Sequence, residues 1–192
     1  MKSLILAFGL LASGCAVLPQ PIPPPVATLS IDGQAMCTGV PIAAQVVLTA
    51  THCLIPGVKV DGANYLVLAH DGNDHSLVKT DVVYEQVVQV DKQAASGAVL
   101  HTGMPLTAYG HPMGLDIQLR RGYVMGTHDA KVTGAAVGAE KVVLLDMPVL
   151  GGDSGGPVFD AEGELVGTIS MASPLGGAIF PYKFSEEEWS LR

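Results

Sequence analysis

The chain has 192 residues, a formal net charge of −8, 48% hydrophobic and 15% charged residues, 23 glycines, 13 prolines and three cysteines. That length and apolar fraction allow one or two compact domains with a sizeable core and exclude a disordered chain. Ten Lys and Arg in an acidic chain cannot neutralise many phosphates, so nucleic acid is not an expected partner. Three cysteines exclude a disulfide-dense scaffold.

Met1 to Gly14 reads as a secretory signal: Lys2 is a positive start, and Leu4 to Leu11 is an apolar stretch too short to cross a bilayer stably. It runs into Leu11-Ala12-Ser13-Gly14-Cys15. Small residues just before a cysteine resemble the lipobox of bacterial lipoproteins. That resemblance implies cleavage before Cys15, a lipidated Cys15 and attachment to the membrane. With Ala16 rather than Asp after it, the resemblance implies the periplasmic side of the outer membrane in a bacterial envelope. Pro19-Gln20-Pro21-Ile22-Pro23-Pro24-Pro25 then reads as an extended spacer, reaching on the order of 20 Å. The lipidated cysteine and tether are assigned to 15–28.

From about Ala27 the pattern becomes strand-like. Candidate strands are Ala35–Val40, Val46–Thr49, Tyr65–His70, Val82–Val90, Thr107–Tyr109, Gly122–Gly126, Lys141–Asp146, Pro157–Phe159, Leu165–Ser170 and Ala178–Tyr182. Turns such as Asp61-Gly62 and Asp71-Gly72-Asn73 separate them. Asp91 to Gly103 is small and polar and reads as a link between two halves. Ser185 to Glu188 fits a capping box and predicts one short terminal helix. Ten or so short strands in two runs predict an all-β pair of barrels. The expected division is 29–95 for the first barrel and 96–192 for the second, which carries the helix.

Three segments carry the chemistry. The first runs from Cys37-Thr38-Gly39-Val40 to Thr49-Ala50-Thr51-His52-Cys53; the second is Asp74-His75-Ser76-Leu77-Val78-Lys79; the third is Gly151-Gly152-Asp153-Ser154-Gly155-Gly156-Pro157. In this order they resemble the trypsin-like (chymotrypsin-fold) serine peptidases, whose two signatures are both complete here. The resemblance spans roughly Gln34 to Tyr182. It implies two six-stranded antiparallel β-barrels with the active site in the cleft between them. It also implies a serine endopeptidase working through an acyl-enzyme.

The residue types suit that chemistry. A serine hydroxyl is a poor nucleophile and needs a base; histidine is the side chain whose charge ordinarily changes near neutrality, and His52 can serve. By resemblance Ser154 is the nucleophile, Asp74 orients His52, and the amides of Gly152 and Ser154 form the oxyanion hole. Asp71 and Asp81 are alternatives to Asp74, which the following Leu77-Val78-Lys79 favours. The family's disulfide beside the catalytic histidine implies a Cys37–Cys53 bridge. Its pocket positions fall near Pro148, Ser170, Met171 and Ala172, none of them charged, so uncharged side chains are expected at the cleavage site. The stretch from Tyr109 to Leu115, with Gly122-Tyr123-Val124, looks like the bacterial branch. The digestive branch frees an N-terminus that pairs with the aspartate before the serine. No Ile-Val-Gly-Gly start precedes Cys37, so Asp153 needs another partner.

His70 and His75 flank a polar turn without metal-ligand spacing and read as surface residues; His111 reads as making a turn contact. Neither a metal nor a cofactor is expected. The expected partner is a peptide or protein substrate of a monomeric enzyme. A catalytically silent binding module of the same fold is the competing reading. An α/β-hydrolase is excluded by chain order, since no histidine follows Ser154.

Overall fold

The computed structural model describes residues 23–90, 100–133, 138–173 and 175–192. The signal-like segment, Cys15, the start of the Pro-rich run and most of the Asp91–Gly103 link lie outside the described residues.

The first half holds β1 (Ala27–Ile31), β2 (Gln34–Ala43), β3 (Val46–Ala50), β4 (Lys59–Val60), β5 (Tyr65–His70) and β6 (His75–Thr80). They form one antiparallel sheet in the order β4-β1-β2-β3-β6-β5. The β1–β2 hairpin turns on Asp32 and Gly33, both at positive φ, the geometry that matches the twist of the flanking strands. Every residue of β3 is buried. Alternation along it sends Val46 and Leu48 to one apolar cluster and Val47 to another, which Ala50 joins at the end of the strand.

The second half holds β7 (Pro105–Gly110), β8 (Gln118–Asp129), β9 (Lys141–Asp146), β10 (Pro157–Phe159), β11 (Leu165–Ser173) and β12 (Gly176–Ile179). These close into a barrel in the order β10-β11-β12-β9-β8-β7, with β10 pairing back onto β7. A single helical turn, α1 (Glu186–Trp189), follows. The capping box is present: Ser185 Oγ accepts from the Glu188 amide, and Glu188 Oε2 accepts from the Ser185 amide.

One apolar cluster joins the halves. Val40, Leu48 and Leu77 of the sheet pack with Phe159 and Leu165 of the barrel and with Tyr182, Phe184 and Trp189 of the C-terminal segment. The returning chain end therefore belongs to the core of the first half.

The all-β double-barrel architecture matches the expectation, with two corrections. The first sheet is a half-barrel, with the two-residue β4 at one end and β5 at the other. Val82–Val90 forms no strand. Its amides make isolated bonds, Tyr84 to Ala44 O and Val88 to Pro41 O, both 2.8 Å. Val88 and Val90 still enter the core. Burial of valines is satisfied there without a ladder, so their β propensity did not decide the backbone.

Candidate active site

The strand register positions the first two residues. Ala50 is the last residue of β3 and pairs with His75, the first of β6. The next residues outward are therefore Thr51-His52 on one strand and Asp74 on the other, at the same end of the sheet. Thr51 N donates to Asp74 O at 2.8 Å, and Thr51–Cys53 coils into a 3₁₀ turn. Asp74 sits at φ +72°, a conformation that aspartate tolerates better than most residues. Its carboxylate accepts from the His52 amide at 3.0 Å, and Oδ2 lies 2.8 Å from His52 Nδ1. Asp74 is almost wholly buried, with 5% of its side chain exposed, whereas His52 is 47% exposed.

Of the three candidate aspartates only Asp74 pairs with His52. Asp81 is exposed. Asp71 pairs instead with His75, Oδ2 to Nδ1 at 2.6 Å, with both side chains fully buried. The surface reading of His75 is thus corrected. It begins a strand between β3 and β5, and its ring meets Tyr182 edge to face at 4.4 Å. His70 remains exposed and its Nδ1 lies 2.6 Å from Ser76 Oγ. Burial pushes the Asp71 carboxyl up. The His75 hydrogen bond and charge and the Lys183 and Asn73 amides outweigh this and hold it below the usual carboxylate range.

Ser154 lies in the loop between β9 and β10, partly exposed. Glycine is required on both sides. Gly152 has φ +100° and Gly155 +78°. A Cβ on Gly152 would strike His111 O; on Gly155 it would strike Thr38 O and Thr49 Oγ1. Gly155 N donates to Ile169 O at 2.6 Å and Ile169 N to Gly156 O at 2.9 Å, anchoring the loop to β11. Among the described residues, the amides of Gly152 and Ser154 have no internal acceptor.

A disulfide within the first half lies against the serine loop. Cys37 and Cys53 are bridged, with Cα atoms 6.0 Å apart. Cys53 Sγ lies 3.8 Å from Ser154 O, and a ring nitrogen of His52 lies within 4.8 Å of both sulfurs. The bridge is thus the common neighbour of the histidine and the serine. Its sulfurs are spent on each other, so this group offers no thiolate to a metal.

Asp153 has its partner. Its buried Oδ2 accepts from Leu150 N at 2.9 Å and lies 3.7 Å from the Arg120 guanidinium on β8. Burial raises its carboxyl above the usual range, against the opposing Leu150 amide and the Arg120 and His111 charges. Arg120 had no role in the sequence reading. A lone arginine on a strand carries no local signal of which distant carboxylate it will meet.

The expected pocket residues differ in exposure. Pro148 and Ala172 are exposed, Ser170 is buried, and Met171 packs partly on the cluster of Ala130, Val142, Ala178 and Phe180. Thr38 and His111 were quoted within motifs, but their bonding across the halves was not foreseen. His111 does make the turn contact, Nδ1 to Leu115 O at 3.1 Å.

Known proteins share this fold. The MamO protease domain of Magnetospirillum magneticum aligns at 21% identity with a TM-score of 0.60, covering 85% of this chain and 95% of that one. An inactive form of Rv3671c from M. tuberculosis H37Rv aligns at 18% identity and 0.63, covering 86% and 82%. The serine endoprotease of Yersinia pestis aligns at 19% and 0.62, covering 82% of this chain and 58% of that one. At such identities they establish the fold. Protease Do-like 1, chloroplastic, of Arabidopsis thaliana is 34% identical over 84 residues, 42% of this chain and only 19% of that relative. Residues 37–167 match the family model of the trypsin-like peptidase domain. The chain belongs to the trypsin-like peptidase family.

Proposed function

We propose that the protein is a serine endopeptidase that cleaves peptide bonds through a Ser154–His52–Asp74 triad. The observation that carries this is the buried Asp74 carboxylate at 2.8 Å from Nδ1 of a half-exposed His52, beside the Gly152–Ser154 loop. A carboxylate at Nδ1 keeps the proton there and leaves Nε2 as the base. His52 takes the Ser154 proton as the hydroxyl attacks the scissile carbonyl. The Gly152 and Ser154 amides hold the oxyanion, which collapses to an acyl-enzyme as His52 protonates the leaving amine. Water then repeats the sequence and frees the acid. No cofactor enters these steps.

The test is labelling with a fluorophosphonate, compared with Ser154→Ala. Labelling of the parent alone supports the triad. An unlabelled, folded parent overturns it and favours the silent binding module. The uncharged residues at Pro148, Ser170, Met171 and Ala172 support cleavage after uncharged side chains. A peptide-library digest with strong preference for Arg, Lys or Glu overturns that part. The lipobox-like sequence supports a lipid anchor on Cys15 in the outer membrane. Incorporation of labelled palmitate, lost in Cys15→Ser, is the expected result, and no incorporation overturns it.

A further inference from the structure

The Gly152 amide can serve a developing oxyanion only if the Gly151–Gly152 peptide faces the right way. Two glycines in succession give that peptide little preference of their own. The fold holds it from outside. Gly151 O accepts from Met113 N at 2.6 Å. Across a trans peptide the C=O and N–H point in opposite directions, so this bond turns the Gly152 N–H away from Met113.

The next peptide is held as well. Gly152 O accepts from Thr38 Oγ1 at 2.7 Å. The same hydroxyl accepts from His111 N at 3.1 Å, so one oxygen ties the loop to the turn. Thr38 is wholly buried. Its amide donates to Ser154 O at 2.8 Å, and its carbonyl accepts from Thr49 Oγ1 at 2.7 Å. Each polar atom of this β2 residue is engaged, three of the bonds reaching the second half. The turn is anchored in its own right, with His111 Nε2 lying 3.1 Å from Thr28 Oγ1 on β1.

The backbone of the turn points the same way. Met113 has φ +56°, a left-handed conformation that disfavours a side chain. Its side chain is largely exposed, so side-chain burial does not explain the conformation. The turn closes around it, with Gly114 N donating to His111 O and Leu115 N to Pro112 O, both at 3.0 Å.

We propose that Thr38, acting with the His111–Gly114 turn, is a brace that orients the Gly151–Gly152–Asp153 peptides, and that Thr38 is a positioning residue for the oxyanion site. This rests on the serine-peptidase reading. Valine at position 38 keeps the shape but can neither donate to Gly152 O nor accept from His111 N. Both groups would lose a buried partner, and the glycine peptides would be free to turn.

The experiment measures p-nitrophenyl acetate hydrolysis by the wild type, Thr38→Val and Thr38→Ser, with thermal unfolding and ¹H–¹⁵N spectra of each. The expected result is a kcat loss of about 10²-fold in Thr38→Val, the scale of one lost oxyanion donor. KM stays unchanged, and Thr38→Ser recovers most of the rate. A role confined to folding would lower the unfolding temperature and leave the kcat of folded molecules intact. Wild-type kcat in folded Thr38→Val overturns the brace. If Thr38→Val fails to fold, Thr38→Ala carries the same expectation and the same refutation. If the wild type neither hydrolyses the ester nor takes fluorophosphonate, the peptidase reading fails instead. The spectra then decide the brace: displaced Gly152 and Ser154 amide resonances in the variant uphold it, and unchanged ones overturn it.

Discussion

Two aspartate–histidine pairs stand at the start of β6, and they differ in one respect. Asp74 meets His52 at 2.8 Å with the histidine 47% exposed. Asp71 meets His75 at 2.6 Å with neither side chain exposed. Both place a carboxylate on Nδ1, so both fix the same tautomer. In the first pair the histidine side chain is half-exposed. In the second, His75 Nε2 is buried with no hydrogen-bond partner among the described residues, against the Tyr182 ring. On the proposed mechanism the pairing alone does not make a base; the ring must also be exposed. The buried pair does a structural task. Asp71 accepts from the amides of Asn73, His75 and Lys183, and Asn73 Nδ2 donates to Pro181 O at 2.8 Å. These bonds tie the turn that carries Asp74 to the C-terminal segment.

That contrast can be broken experimentally, most severely at the exposed pair. Ser154→Ala and His52→Ala should each lower turnover on the order of 10⁶-fold, the scale seen for other serine peptidases, with unfolding temperature nearly unchanged. Asp74→Asn should cost about 10⁴-fold in kcat by misdirecting the imidazole tautomer. The buried pair should respond in stability instead. Asp71→Asn removes the buried carboxylate that bonds His75 Nδ1 and the amides of Asn73, His75 and Lys183, and should destabilise by about 3 kcal/mol in urea unfolding. A loss of kcat among its folded molecules as large as that of Asp74→Asn would erase the distinction.

Reduction of Cys37–Cys53 should cost roughly 3 kcal/mol on the chain-entropy model for a separation of 16 residues, measured by unfolding with and without reductant. The smallest expected effect is in pH dependence. Asp71 ionises below its unfolded value. Its contribution is therefore complete above about pH 4 and drains as acid protonates the folded carboxyl. Urea midpoints across an acid series should fall less steeply in Asp71→Asn than in the wild type. Asp153 has the opposite sign. Its raised carboxyl binds protons more readily folded than unfolded, so its share of stability declines as pH rises from its unfolded value through the folded one.

Much of the fold was legible along the chain. Tyr65–His70, Lys141–Asp146 and Pro157–Phe159 were bounded as found. In each, a β-rich run ends at turn residues. The capping box at Ser185 depends only on neighbours and was read equally well. β6 was not named as a strand. It lies between β3 and β5, its side chains are buried on both faces, and alternation vanishes under those conditions. Val82–Val90 erred in the opposite direction, because valine also suits an irregular segment that fills a core.

Local wording was enough for the histidine turn, the glycine-rich serine loop and the family they imply, since backbone geometry there depends on adjacent residues. It was also enough to favour Asp74 over Asp71 and Asp81 as the third residue. Only the folded chain brings one of them to the imidazole, because the pairing of Ala50 with His75 is a long-range register that puts Asp74, and neither Asp71 nor Asp81, beside His52. The same holds for Arg120 at Asp153 and for Thr38 at Gly152. The Thr38 contact crosses between the halves and the Arg120 contact joins β8 to the serine loop within the second, and which polar groups meet there is set by long-range packing, a property no short stretch of sequence contains.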